Sequence, residues 1–151
     1  MTAPPDEPQA DPRRRQRVGA YGMAHDAEGR ILLVRAASYL TVAGMWFLPG
    51  GGVEHGETPA ASLRREVHEE TGLAIGSLSL LGVLSDTWPV PDDTILHTVR
   101  LIYRIDQWHG TLRHEAAGSS DLAAWFSPDE LESVPLVRYV REALARFGDE
   151  W

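Results

Sequence analysis

Cysteine is absent from this chain of 151 residues, which excludes a disulfide scaffold, thiolate zinc sites and cysteine nucleophiles. Long apolar runs are missing as well. Without a bilayer-length segment or a signal-peptide pattern, no membrane partner is expected and a cytoplasmic location follows by default. Positive charge is scarce: the formal net charge of −8 argues against a surface that coats nucleic acid. The only basic run, Arg13 to Arg15 with Arg17, lies in a stretch without apolar periodicity and reads as solubilising. Residues 1–16 also carry Pro4, Pro5, Pro8 and Pro12, so a disordered tail over 1–16 and a single domain over 17–151 are expected. No internal repeat and no helix-turn-helix segment is visible. What remains is 43% hydrophobic, enough for one core that needs no metal to fold.

Strands are expected at Val18 to Ala24 and Arg30 to Arg35, joined as a hairpin through Asp26 to Gly29. A loop from Ala36 to Gly44 leads to a short apolar strand, Met45 to Leu48, which ends at Pro49 and the glycines 50–52. Those glycines permit close backbone approach to a ligand. Thr58 followed by Pro59 is a helix start and Gly72 its stop. Further strands are read at Leu78 to Ser85, Thr94 to Ile105 and Leu122 to Phe126, with a turn-rich lip at Asp86 to Asp93. A polar loop spans Gln107 to Ser120, and a last helix runs from about Leu136 to Phe147.

Within the helix that opens at Thr58, Leu63 and Val67 share an apolar side, while Glu66, Glu69 and Glu70 project from another face within one turn. Glu66 and Glu70 are like charges four apart, and all three sit where the helix macrodipole disfavours anions by about 0.3–1 kcal/mol each. A positive partner should offset that cost. Hard divalent cations prefer carboxylate oxygens, so a metal platform is the economical reading, against a merely solvated acidic face.

Gly51, Glu57, Arg65, Glu66, Glu69, Glu70 and Gly72, with apolar Val67 and Leu73, resemble the Nudix box at every defining position. Average residue usage gives a probability on the order of 10⁻⁷ of meeting that pattern by chance in a chain this long. The chain is thus similar to the Nudix (MutT-like) hydrolase family over about residues 17 to 147. The resemblance implies an α+β fold, a Nudix-type α/β/α sandwich with a mixed central sheet. It also implies Mg²⁺- or Mn²⁺-dependent hydrolysis of a phosphoanhydride bond, in a nucleoside diphosphate linked to another group or in a nucleotide triphosphate.

By the family pattern Glu66, Glu69 and Glu70 hold the metal with the backbone carbonyl of Gly50, and Arg65 pairs with Glu57 to brace the loop against the helix. The water-activating base comes from the box or from a loop outside it, where Glu115 is preferred over Asp121. The histidines, His55 and His97 among them, are read as structural or exposed. Bound divalent ions would reconcile an acidic protein with an anionic nucleotide by reversing the local field.

Ser85-Asp86-Thr87-Trp88-Pro89-Val90-Pro91 partly resembles the proline-rich array of NADH diphosphatases, and the placement of Pro89 resembles that in ADP-ribose pyrophosphatases. Both are alternatives for the substrate. Trp46 and Trp88 are the candidates for stacking on a base or sugar. The expected partner is a small nucleotide rather than a duplex, with a homodimer left open. A nucleotide-binding sensor with little turnover is the competing class; the isoprenoid isomerases of this fold employ a cysteine, which this chain lacks.

Overall fold

The computed structural model describes residues 12–38, 40, 42–113, 118 and 120–148. Nine strands and three helices follow one another as β1 (Arg13–Met23), β2 (Ile31–Ala36), β3 (Trp46–Phe47), β4 (Gly50–Gly52), α1 (Pro59–Thr71), β5 (Ala74–Ile75), β6 (Leu78–Val90), β7 (Thr94–Ile105), β8 (Trp108–His109), β9 (Ser120–Phe126), α2 (Pro128–Leu131) and α3 (Arg138–Phe147). One sheet has the order β4-β1-β7-β6 and a second the order β3-β2-β9. The first is mixed, because β1 runs parallel to β7 while its other pairs are antiparallel.

Strand alternation sorts the core into two layers. Ala20, Leu32 and Tyr103 join Leu63 and Val67 of α1 in one cluster. Their chain neighbours Tyr21, Leu33 and Ile102 point the other way, into a cluster with Tyr139, Val140, Ala143 and Phe147 of α3. Each helix therefore covers its own face, which gives the α/β/α sandwich. β2 is buried at five of its six positions, as suits an apolar strand hydrogen-bonded on both sides.

Four expectations are corrected. The first strand begins at Arg13 rather than at Val18, and its outer residues Arg13 to Arg17 pair with Thr94 to Thr98 of β7. β1 and β2 belong to different sheets, so the expected hairpin shrinks to one bridge, His25 opposite Ile31. The supposed lip at Asp86 to Asp93 is mostly strand: β6 continues to Val90 in register with β7, and only 91–93 form the turn. β6 lies at a sheet edge, where Pro89 breaks no ladder, and the turn uses left-handed backbone at Asp92 and Asp93. Finally, the glycines 50–52 form β4, an antiparallel partner of Gly19 to Tyr21.

Candidate active site

Helix α1 is bounded as its sequence predicts. The Thr58 side chain accepts a hydrogen bond from the Ala61 N–H at 3.1 Å, Pro59 occupies the first turn, and Gly72 closes the helix at φ 77° with its N–H donating to His68 O. Leu63 and Val67 are buried against the sheet, and the Ser62 hydroxyl donates to Gly52 O at 3.3 Å. These contacts fix the helix on β4.

The glutamates then meet the glycine strand. Glu70 is 1% exposed, and its Oε1 accepts the Gly50 N–H at 2.8 Å. Glu66 packs against Gly51, where an added Cβ would lie only 2.8 Å from the carboxylate carbon and from Oε1. Gly51 is the residue that leaves room for that side chain. Glu69 lies further out, its side chain 48% exposed.

Arg65 ties the cluster together. Its Nε and Nη2 donate to the two Glu57 oxygens at 2.8 and 3.0 Å, while Nη1 donates to Glu66 at 3.0 Å and to Glu69 at 3.4 Å. The Arg65 hydrogen bonds, helped by the Glu54 N–H, hold the Glu57 carboxyl down at about 2, and Glu57 in turn raises the Arg65 guanidinium further above its ordinary range. Among the described residues no three acid, histidine or cysteine side chains are gathered into a ready metal cage. The donor set nonetheless suits a hard cation, for the Glu66 and Glu70 carboxylates border a strand whose middle residue makes space for one of them, and Arg65 links Glu69 to Glu66.

The other expected residues scatter. Asp121, at the start of β9, accepts from Arg35 Nε and Nη2 at 2.8 and 3.1 Å. Glu115 lies outside the described residues. Trp46, on β3, stands edge-on to Phe126 with centroids 4.8 Å apart, with the Arg35 guanidinium 5.9 Å above its ring. Trp88 sits on β6 in the other sheet and is 55% exposed. The structure does not bring the two tryptophans onto one sheet. Sequence reasoning missed Arg35 and also Arg100, which stacks 4.4 Å from the Tyr139 ring and pairs with Asp86 at 2.9 Å. An arginine inside a largely apolar strand was the available signal for each.

Residues 13–147 match the model of the NUDIX domain. This chain belongs to the Nudix hydrolase family. The matched span begins where β1 begins. Among Nudix relatives, a MutT-like protein of Streptomyces ambofaciens is 33% identical over 114 residues, covering 76% of this chain and 66% of that protein. The match thus spans just under two thirds of that relative's length. The MutT NUDIX hydrolase from Burkholderia pseudomallei superposes with a TM-score of 0.75 at 30% identity, over 87% of this chain and 98% of that one. The E. coli ORF135 protein gives 0.68 at 26% identity, over 90% and 91%.

Proposed function

We propose that this Nudix domain hydrolyses a phosphoanhydride bond in a nucleoside diphosphate joined to another group or in a nucleotide triphosphate, with Mg²⁺ or Mn²⁺ held by Glu66, Glu69, Glu70 and the Gly50 carbonyl. The observation that carries the reading is the seating of Glu70 and Glu66 on Gly50 and Gly51. Burying a carboxylate such as Glu70 is costly, and the Gly50 N–H offsets part of that cost while aiming the side chain at the glycine strand. A divalent ion bound there supplies charge neutralisation and a lowered water pKa. Glu57 holds the Arg65 fork, and Arg65 orients Glu66 and Glu69, as groups behind metal ligands generally do. For the water-activating base, the ion pair of Asp121 with Arg35 leaves Glu115 or a glutamate of the box.

Exposed Trp88 offers a ring to a base or sugar, whereas Trp46 is already packed on Phe126 and Arg35; a dinucleotide or ADP-ribose substrate is the narrower version of the reading. The test is turnover of NADH, ADP-ribose, diadenosine polyphosphates, nucleotide sugars and dNTPs with Mg²⁺, products identified. Glu69→Gln and Glu70→Gln are expected to lower turnover at least a hundredfold while staying folded. Undiminished Mg²⁺-dependent hydrolysis in both variants refutes the assignment; binding without hydrolysis across the panel makes the protein a sensor instead.

A further inference from the structure

The outer ends of β1, β7 and β6 extend beyond the part of β1 that β4 covers, which is Gly19 to Tyr21. On that extension lies a cavity of about 670 Å³ whose lining includes Arg14, Arg15, Gln16, Thr87 and His97. Among the described lining residues there is no aspartate or glutamate. The uncharged groups are aligned by a chain of hydrogen bonds: Gln16 Nε2 lies 3.3 Å from His97 Nδ1, and His97 Nε2 lies 2.8 Å from Ser85 Oγ. If the Gln16 amide donates to Nδ1, His97 donates to Ser85, whose own hydroxyl proton is then free to donate onward.

Every one of the 14 cationic side chains is arginine, in a chain of net charge −8, and four of them fall within Arg13 to Arg17. Among the described residues none of those four enters an ion pair. Asp92 and Asp93 sit at the hairpin turn beside Arg13, where the Arg13 N–H donates to Asp93 O. Asp86 is engaged by Arg100. Charge on an exposed strand edge guards against unwanted pairing, but edge protection accounts for neither the concavity nor the aligned neutral donors.

We propose that this cavity is an anion site, in which Arg14 and Arg15 bind a phosphate or diphosphate group, Gln16 and Thr87 supply neutral hydrogen bonds, and His97 fixes the Gln16 amide. It is separate from the glutamate face. Gly51 pairs with Ala20, and Gln16 lies four residues outward along the same strand, roughly 13 Å at about 3.3 Å per residue. The phosphate belongs either to the far end of the substrate or to a second, phosphorylated molecule.

The deciding experiment titrates the full-length protein with inorganic pyrophosphate in excess EDTA, following the His97 imidazole and Gln16 amide by NMR. Because neither metal nor turnover is involved, the result is independent of the proposed hydrolysis. Saturable shifts at both groups, weakened at least tenfold in Arg14→Ala/Arg15→Ala and unchanged in Arg104→Ala, support the site. Equal affinity in the double variant, or no saturable shift at either group, overturns it. Kinetics then assign the source: a raised KM for NADPH but not NADH in the double variant places the phosphate on the substrate. An equal effect of added pyrophosphate on both rates, lost in that variant, places it on a separate molecule.

Discussion

At the residue scale, the site depends on what glycine omits. Gly51→Ala puts a methyl 2.8 Å from the Glu66 carboxylate, and the flexible end of that side chain can swing away. Stability is therefore expected to change by under about 1 kcal/mol while turnover falls at least tenfold, because a misplaced ligand costs rate more than fold. Parallel thermal melts and kinetics check this. Gly50 differs: φ is 141° and a Cβ would strike the backbone of Ala20 and Tyr21. Glu57 lends itself to a pH test. Its carboxyl titrates near 2 instead of 4.5, chiefly through the Arg65 hydrogen bonds. A depressed folded pKa gives stability that is complete above about 4.5 and disappears as pH falls toward 2. Glu57→Gln is expected to lower the urea midpoint at pH 7 and to flatten its decline across that window; identical curves for the two proteins would remove the pair from any bracing role.

At the element scale, α1 carries the reactive carboxylates on one side and its anchor on the other. Leu63→Ala, at a position 0% exposed, is expected to cost about 2–5 kcal/mol and to reduce activity beyond the unfolded fraction, since the glutamates move with their helix. Denaturant unfolding beside activity at matched folded concentration separates the two effects. This helix was legible in the sequence because its signals are local: threonine and proline at one end, glycine at the other, with apolar positions four apart. Local signals also marked α2, where Ser127 caps and Pro128 opens the helix as Thr58 and Pro59 do for α1, yet four residues are too few for periodicity to show. β4 was hidden for the opposite reason. Three glycines have no side-chain pattern, and their strand character comes from pairing with Gly19 to Tyr21.

At the scale of the whole molecule, the two-layer core was readable as fold class from the Nudix box, but not as contacts. Arg35 and Asp121 lie 86 residues apart, and nothing near either position announces the other. The same holds for Arg100 beneath Tyr139. His25, at the bridge between the sheets, links global stability to pH. Burial lowers its pKa from 6.5 to about 4, against the pull of Asp26. The unfolded chain then takes up a proton at a higher pH than the folded one, so stability falls as pH drops from about 6.5 toward 4. Thermal melts across that range are expected to show a falling midpoint in the parent and a shallower slope in His25→Gln; equal slopes would assign the acid sensitivity elsewhere.

The parallel pairing of β1 with β7 places partners such as Gln16 and His97 81 residues apart. During synthesis, the strand made early waits with its hydrogen-bonding edge bare until most of the domain has left the ribosome. Such non-local closure is slow and leaves the nascent chain open to aggregation. Like charge along a strand opposes its pairing with a second copy, so Arg13 to Arg15 and Arg17 are expected to shield β1 until β7 covers it.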